Sequence, residues 1–440
     1  MDSISDFPYF EVQFTKEAKV YDPEEPQKLF DFLDRQEVTD LFVISHGWNN
    51  NIQEARELYQ RLFTSMRETI DQGIVPGIET RKFAILAVFW PSKKFTEREL
   101  IAGGAAGLED TMVSEVRERV TTLQELLADP EASDRFERLK ALVPKLEDSP
   151  SARKEFVDSL RKILDRGETD DEDASTDFFE LDSEEVMDRL QHPLASPAAN
   201  DGEEEGGVAE IGDFTPESGG AAGFLNFSGF TAAAGNLLNF ATYYEMKQRA
   251  GNVGRKGLNP LLREIRQKYP AIKQHLVGHS FGGRLVTATV LGTEDFAPAE
   301  TLSLLQAAFS HYGFAKDFEP NKNGFFRKVV ENQKVSGPIL ITHTKNDWAV
   351  GIAYPIASAL SRDDSSFLGD ENDRFGGIGR NGAQKTPEAI RGLSLLPVGG
   401  SYPLQAGKLH NLRADEFIQD HGDVGGLQVA YAILTAVATT

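Results

Sequence analysis

The residues best able to do chemistry lie in "QHLVGHSFGGRLV" (274–286), where Ser280 follows Gly278-His279 and precedes Phe281-Gly282. A serine hydroxyl is a poor nucleophile unless it is exposed and placed beside a base. An apolar run before it and a helix-like run after it predict a sharp strand-to-helix turn. Small residues at 278 and 282 let the two backbones approach closely. The base in turn needs an orienting carboxylate. Asp347 follows the apolar run "GPILITHT", and His421 lies in "DEFIQDHGDV" ahead of an apolar C-terminal helix. His410 in "KLHNL" is a rival base, and Asp363, Asp364 and Asp373 of "SRDDSSFLGDENDRFGG" are rival acids. An acyl-transfer oxyanion also needs backbone donors. The amide of Phe281, at the start of a helix, is one candidate. The amide of Trp48 in "VISHGWNNN" (43–51) is the other, with Gly47 permitting a tight approach. His46, His279 and His311 stand beside these segments. They are candidates to line a substrate pocket or, for His46, to hold the loop.

These residues need a scaffold that delivers them to one edge. "DLFVISHG" (40–47), "KFAILAVFW" (82–90), "IKQHLV" (272–277), "TLSLLQAAF" (301–309) and "GPILITHT" (337–344) read as buried strands, and His410 falls in a further apolar run read as the last one. Helix-like stretches separate them, so an α/β fold with a mainly parallel sheet is expected. Residues 51–70 carry Ile52, Leu58, Leu62, Phe63, Met66 and Ile70 at helical spacing. Asn259-Pro260 reads as an N-cap and first helical residue. Asp423 is placed to cap the C-terminal helix.

Residues 95–220 break the rhythm. They hold 34 acidic and 13 basic residues, against 35 and 33 elsewhere, so nearly all of the net charge of −23 belongs to this segment. Three helical stripes run through it: Met112 to Leu127, Phe136 to Leu146, and Phe156 to Leu164. A short helix follows near 182–191, where Asp182 and Glu185 have capping-box spacing. Residues 193–218 lack any apolar period and read as a disordered linker. The organisation expected is therefore 1–95 as the first part of the core, 96–220 as a helical acidic insertion with its linker, and 221–440 as the rest of the core. "GGAAG" brackets the insertion at 103–107 and 219–223. Residues 218–244 carry no charge and read as a packed helix or lid, with peripheral membrane contact as the alternative.

In these elements the chain resembles the α/β-hydrolase superfamily of serine esterases, lipases and peptidases. The matching residues are "HGW" (46–48), "GHSFGG" (278–283), Asp347 after a strand, and "HGDV" (421–424), and the resemblance covers 40–95 and 230–440. It implies Ser280 as nucleophile, His421 as general base and then acid, Asp347 as its orienter, and neither a metal nor an organic cofactor. The oxyanion stretch reads HGWNNN rather than the glycine-rich form, and the large insertion precedes the nucleophile strand.

Composition narrows the function classes. No cysteine is present, which excludes disulfides, thiolate metal sites and cysteine nucleophiles. With no signal-like N-terminus, a cytoplasmic setting is expected. Basic residues are not clustered as nucleic-acid binding requires. The run "GETDDEDASTD" (167–177) imitates a calcium loop but has Thr176 where the turn needs glycine, so it reads as a solvated charge run. The expectation is a serine hydrolase acting on a small-molecule or lipid ester. An amidase or peptidase on the same triad, and a non-catalytic binding scaffold, remain the alternatives.

Overall fold

A computed structural model of the chain describes residues 2–48, 51–92, 108–164, 166–167, 172, 174–192, 228–292, 299–347, 353–361 and 374–440. The chain divides into two compact units. One holds residues 1–93, 246–350 and 376–440, the other 94–245 and 351–375. The second unit thus takes in residues 221–245 and 351–375, which the sequence reading placed in the core.

The first unit is built on a sheet of nine strands: β1 (Ser3–Ile4), β2 (Phe7–Gln13), β3 (Asp40–Ser45), β4 (Phe83–Phe89), β5 (Lys273–His279), β6 (Thr301–Leu305), β7 (Ile339–His343), β8 (Ala389–Ser394) and β9 (Leu409–Arg413). Their order is β1-β2-β4-β3-β5-β6-β7-β9-β8. Among the described strands only the β1–β2 pair is antiparallel. The fold class is α/β. Every residue of β3 and β4 is buried, as expected of parallel strands covered on both faces. The chain runs from β3 outward to β4, then returns past β3 to β5 and continues the other way. In open α/β sheets ligands bind beyond the carboxyl ends of the strands where such a reversal occurs, here β3 and β5.

Helix Ile52–Asp71 starts in a closed capping box: Asn51 Oδ1 accepts from the Glu54 amide at 2.8 Å, and Glu54 Oε2 accepts from the Asn51 amide at 2.6 Å. Leu58, Leu62, Phe63 and Met66 of its stripe are buried, whereas Ile52, at the helix start, is exposed. The C-terminal helix Leu427–Ala438 packs against it and shares its core.

Four local expectations fail for identifiable reasons. Asn259 does not cap a helix, because helical backbone already runs through 253–258 and its side chain instead donates to Thr289 O at 2.8 Å. The strand expected over 301–309 stops at Leu305, where Gln306 takes φ +44°. Asp423 accepts from the Gln419 amide at 3.2 Å, and the last helix starts after Gly426. In the helix Ser183–Leu190, Asp182 caps the Glu184 amide, but Glu185 pairs with Arg189 instead of closing the box.

The second unit is helical among its described residues. Its helices are Leu108–Leu127, Ser133–Leu142, Pro150–Ile163, Ser175–Glu180, Ser183–Leu190 and Ala353–Ser361, with the start of Phe230–Asn252. Its core is Val116, Val120, Leu123, Phe136, Leu139, Phe156, Leu160, Phe178, Met187 and Phe240, all fully buried. The uncharged stretch belongs here. Glu147 caps it by accepting from the Thr231 and Phe230 amides at 2.8 and 3.2 Å, and Phe240 and Tyr244 lie on Phe178 and Phe179. A helix apolar on every side belongs in an interior. The two GGAAG copies, the linker at 193–218 and residues 218–227 lie outside the described residues. No helix among the described residues is long and apolar enough to cross a membrane, and none of their acidic and histidine side chains form a metal-holding group.

Candidate functional site

The parallel sheet sends the ends of β3, β5, β7 and β9 to one edge. β5 ends at His279, and Ser280 turns the chain into helix Phe281–Leu291. Ser280 takes φ 55°, ψ −126°, a conformation that costs a side-chain-bearing residue about 1–3 kcal/mol. The surroundings enforce it. The Ser280 amide donates to Leu305 O at 3.1 Å, and its carbonyl accepts from Gly283 and Ala308 at 2.9 and 3.0 Å. Glycine is needed at 282 because a Cβ there would stand 2.2 Å from Ser45 O. At 278 a Cβ would stand 2.4 Å from Gly282 O.

The loop after β3 comes up against the serine. A Cβ on Gly47 would lie 2.6 Å from Ser280 Cβ and 3.1 Å from its Oγ. The Trp48 ring meets Phe281 edge-on at 5.9 Å, so the two residues read as oxyanion donors are neighbours. His46 holds this loop. It is 2 % exposed, its Nδ1 pairs with Gly47 O at 2.9 Å, its Nε2 accepts from the Trp90 amide at 3.3 Å, and its ring stacks on Trp90. Both ring nitrogens therefore serve the main chain rather than facing a ligand.

His421 and Asp347 meet. His421 Nδ1 lies 3.0 and 2.9 Å from the two carboxylate oxygens of Asp347, which is fully buried. His410 stands instead inside β9, its Nε2 accepting from the Gln405 amide at 3.0 Å. The rival acids Asp363, Asp364 and Asp373 lie outside the described residues. His279 donates from Nε2 to the main-chain oxygen of His421 at 2.7 Å, and the two rings are 4.8 Å apart. Ser280 Oγ forms no hydrogen bond with His421 here, a contact that in such sites commonly tightens only with substrate. His311 is buried after β6, against Gly376, Asn381 and Tyr312. Its described contacts do not include Ser280, Asp347 or His421.

Three further residues shape the site, and the sequence carries no local signal for them. Asn346 Nδ2 donates to Asp415 O and Ile418 O at 3.1 and 3.0 Å, tying the Asp347 loop to the His421 loop. Asp415 accepts from Thr344 Oγ1 and the Lys345 amide at 2.9 and 3.1 Å. Ser65 donates to Gly425 O at 2.7 Å. Only the fold brings these pairs together.

A second carboxylate–imidazole–hydroxyl row lies at the opposite end of the strands. Asp40 Oδ1 and Thr301 Oγ1 each sit 2.9 Å from a ring nitrogen of His275, and Arg81 reaches Asp40 at 2.7 Å. His275 and Asp40 are buried, so this row ties strands together rather than facing a substrate.

Burial holds His46 down at about 4. Burial first, and then the neighbouring His421, hold His279 at about 3. Both lie below the ordinary 6.5, so the unfolded chain takes up these protons first. The stability they contribute is full above about pH 6.5 and is lost as the pH falls toward their folded values. At pH 5 each ring costs about 2 kcal/mol relative to pH 7. Trp48 and Trp90 lie in the sheet unit, so urea unfolding followed by tryptophan fluorescence in a Trp348→Phe background reads this unit. These two rings together are expected to lower the unfolding free energy by about 4 kcal/mol between pH 7 and pH 5, and His275, His343 and His410, also held below the ordinary value by burial, act in the same direction. A flat profile would mean that these rings are solvated in the fold.

No family model, no curated protein and no solved structure matches this chain. The α/β class therefore rests on the sheet itself.

Proposed function

We propose that the chain is a serine hydrolase of the α/β-hydrolase type that cleaves carboxylic esters. The observation that carries this reading is the His421 imidazole seated on the buried Asp347 carboxylate, at the sheet edge where Ser280 occupies its strained turn. A carboxylate on Nδ1 fixes the imidazole tautomer, leaving Nε2 with the lone pair a base needs. In the proposed reaction Ser280 Oγ attacks the acyl carbon while His421 Nε2 takes its proton. The amides of Trp48 and Phe281 receive the oxyanion. His421 then protonates the departing alcohol, and water activated by the same nitrogen releases the acid from the serine.

The test is covalent labelling by a fluorophosphonate, read by intact mass, on the wild type beside Ser280→Ala. One adduct on the wild type and none on the variant is the expected result. A folded wild type that takes no label would remove the catalytic reading and leave a binding scaffold that kept the turn.

A further inference from the structure

We infer that His279 is a positioning residue for the general base: its Nε2–H holds the main-chain oxygen of His421 and sets where that imidazole stands relative to Ser280. The inference rests on the reading of Ser280 and His421 as nucleophile and base. It adds a residue that the triad scheme does not contain.

The need for such a clamp follows from the topology. β9 ends at Arg413 and the next helix starts at Leu427, so no strand or helix holds the chain at His421. Asp347 grips the ring at Nδ1, but a ring held at one atom can still pivot about it. The bond from His279 fixes the other end of the residue, at its carbonyl, with a distance of 2.7 Å. His279 is rigid enough to serve. It is the last residue of β5, paired in register with Leu305 of β6, and it is 7 % exposed. It is also the residue immediately before the nucleophile. Its backbone thus carries Ser280 while its side chain carries His421, and one residue couples the two reacting groups.

The chemistry of the ring agrees. Donation to a carbonyl requires the proton on Nε2. Nδ1 then bears the lone pair, and it makes no hydrogen bond among the described residues. The buried ring stays neutral and does not compete with His421 for the serine proton. A displacement of about 1 Å between reacting groups can cost about 10²-fold in rate, which sets the scale of the effect.

The experiment compares His279→Phe, which keeps a buried ring and loses the donor, with His279→Gln, which keeps an N–H donor on a shorter apolar surface. Expected for the phenylalanine variant is a fluorophosphonate labelling rate about 10²-fold lower, with kcat for a p-nitrophenyl ester reduced and KM unchanged. The glutamine variant is expected to recover most of that loss. A ring serving only as packing predicts the reverse order, and that order, or equal rates in all three proteins, would overturn the inference. His279→Leu replaces the phenylalanine variant if the latter does not fold. A readout independent of activity separates this inference from the reading it rests on. The far-downfield proton resonance of His421 Nδ1–H on Asp347 should be sharp in the wild type and broadened by exchange in the donor-free variant. A wild type that takes no label would end the catalytic reading, while an unchanged resonance in the variant would end the clamp.

Discussion

Ser280→Ala and the double variant Ser280→Ala/His421→Ala should hydrolyse a p-nitrophenyl ester at the same residual rate, about 10⁴–10⁶-fold below the wild type. Once the nucleophile is gone, its base has nothing to activate, so the second substitution adds nothing. The two losses would add only if His421 acted somewhere other than on Ser280. That makes the double variant more informative than either single one. Steady-state rates on matched, folded proteins decide it: a double variant at least tenfold slower than Ser280→Ala would break the assignment of His421. Ser280→Ala should leave the fold intact, whereas His421→Ala takes the imidazole from the buried Asp347 carboxylate and is expected to lower stability. Ser280 Oγ makes no hydrogen bond to His421, and the His421 side chain is 22 % exposed.

The second large effect is expected at Gly47. A methyl group there would stand 2.6 Å from Ser280 Cβ, 3.1 Å from Oγ and 3.2 Å from His279 Nδ1. None of these atoms can give way easily, because Ser280 and His279 are held by the sheet. The loop must retreat instead, taking the Trp48 amide with it. Gly47→Ala is therefore expected to slow acylation by about 10²–10³-fold, the scale of losing one oxyanion donor, while the melting temperature changes little. A variant that acylates at the wild-type rate would mean that the loop contributes no donor. One that fails to fold would mean that the loop is part of the core rather than of the site. His46 argues against the second outcome, since it ties the loop to Trp90, the residue after β4.

Much of this arrangement is legible in the sequence, for reasons that can be named. The central strands β3, β4 and β7 carry apolar runs bounded by polar or glycine-containing segments, the pattern of strands buried on both faces, whereas β5 has only Leu276-Val277 between polar residues and is marked chiefly by the turn that follows it. The Ser280 turn is legible because its glycines answer local steric demands between adjacent strand and helix. The edge strands β1 and β8, and β2 next to β1, are not. Pro8 and Glu11 interrupt the apolar text of β2, and β8 is half exposed with Arg391-Gly392 at its centre. Half-solvated edges carry no strong hydrophobic signal. The uncharged stretch before β5 was legible as a packed helix but not as part of the helical unit, because an all-round apolar helix does not say which surface covers it.

The same division runs through the site. The sequence alone determined the residue types, the chain order Ser280–Asp347–His421, and the positions where glycine must stand. Those are local properties, set by backbone sterics and by the alternation of strands and helices. Tertiary structure alone decided that His421 rather than His410 reaches Asp347, that His46 serves its own loop, and that His279, Asn346 and Asp415 hold the acid and base loops. Apart from the His46–Gly47 contact, each of these is a hydrogen bond between groups far apart in the chain. Its existence depends on parallel strands placing their ends at one edge, which no local pattern encodes.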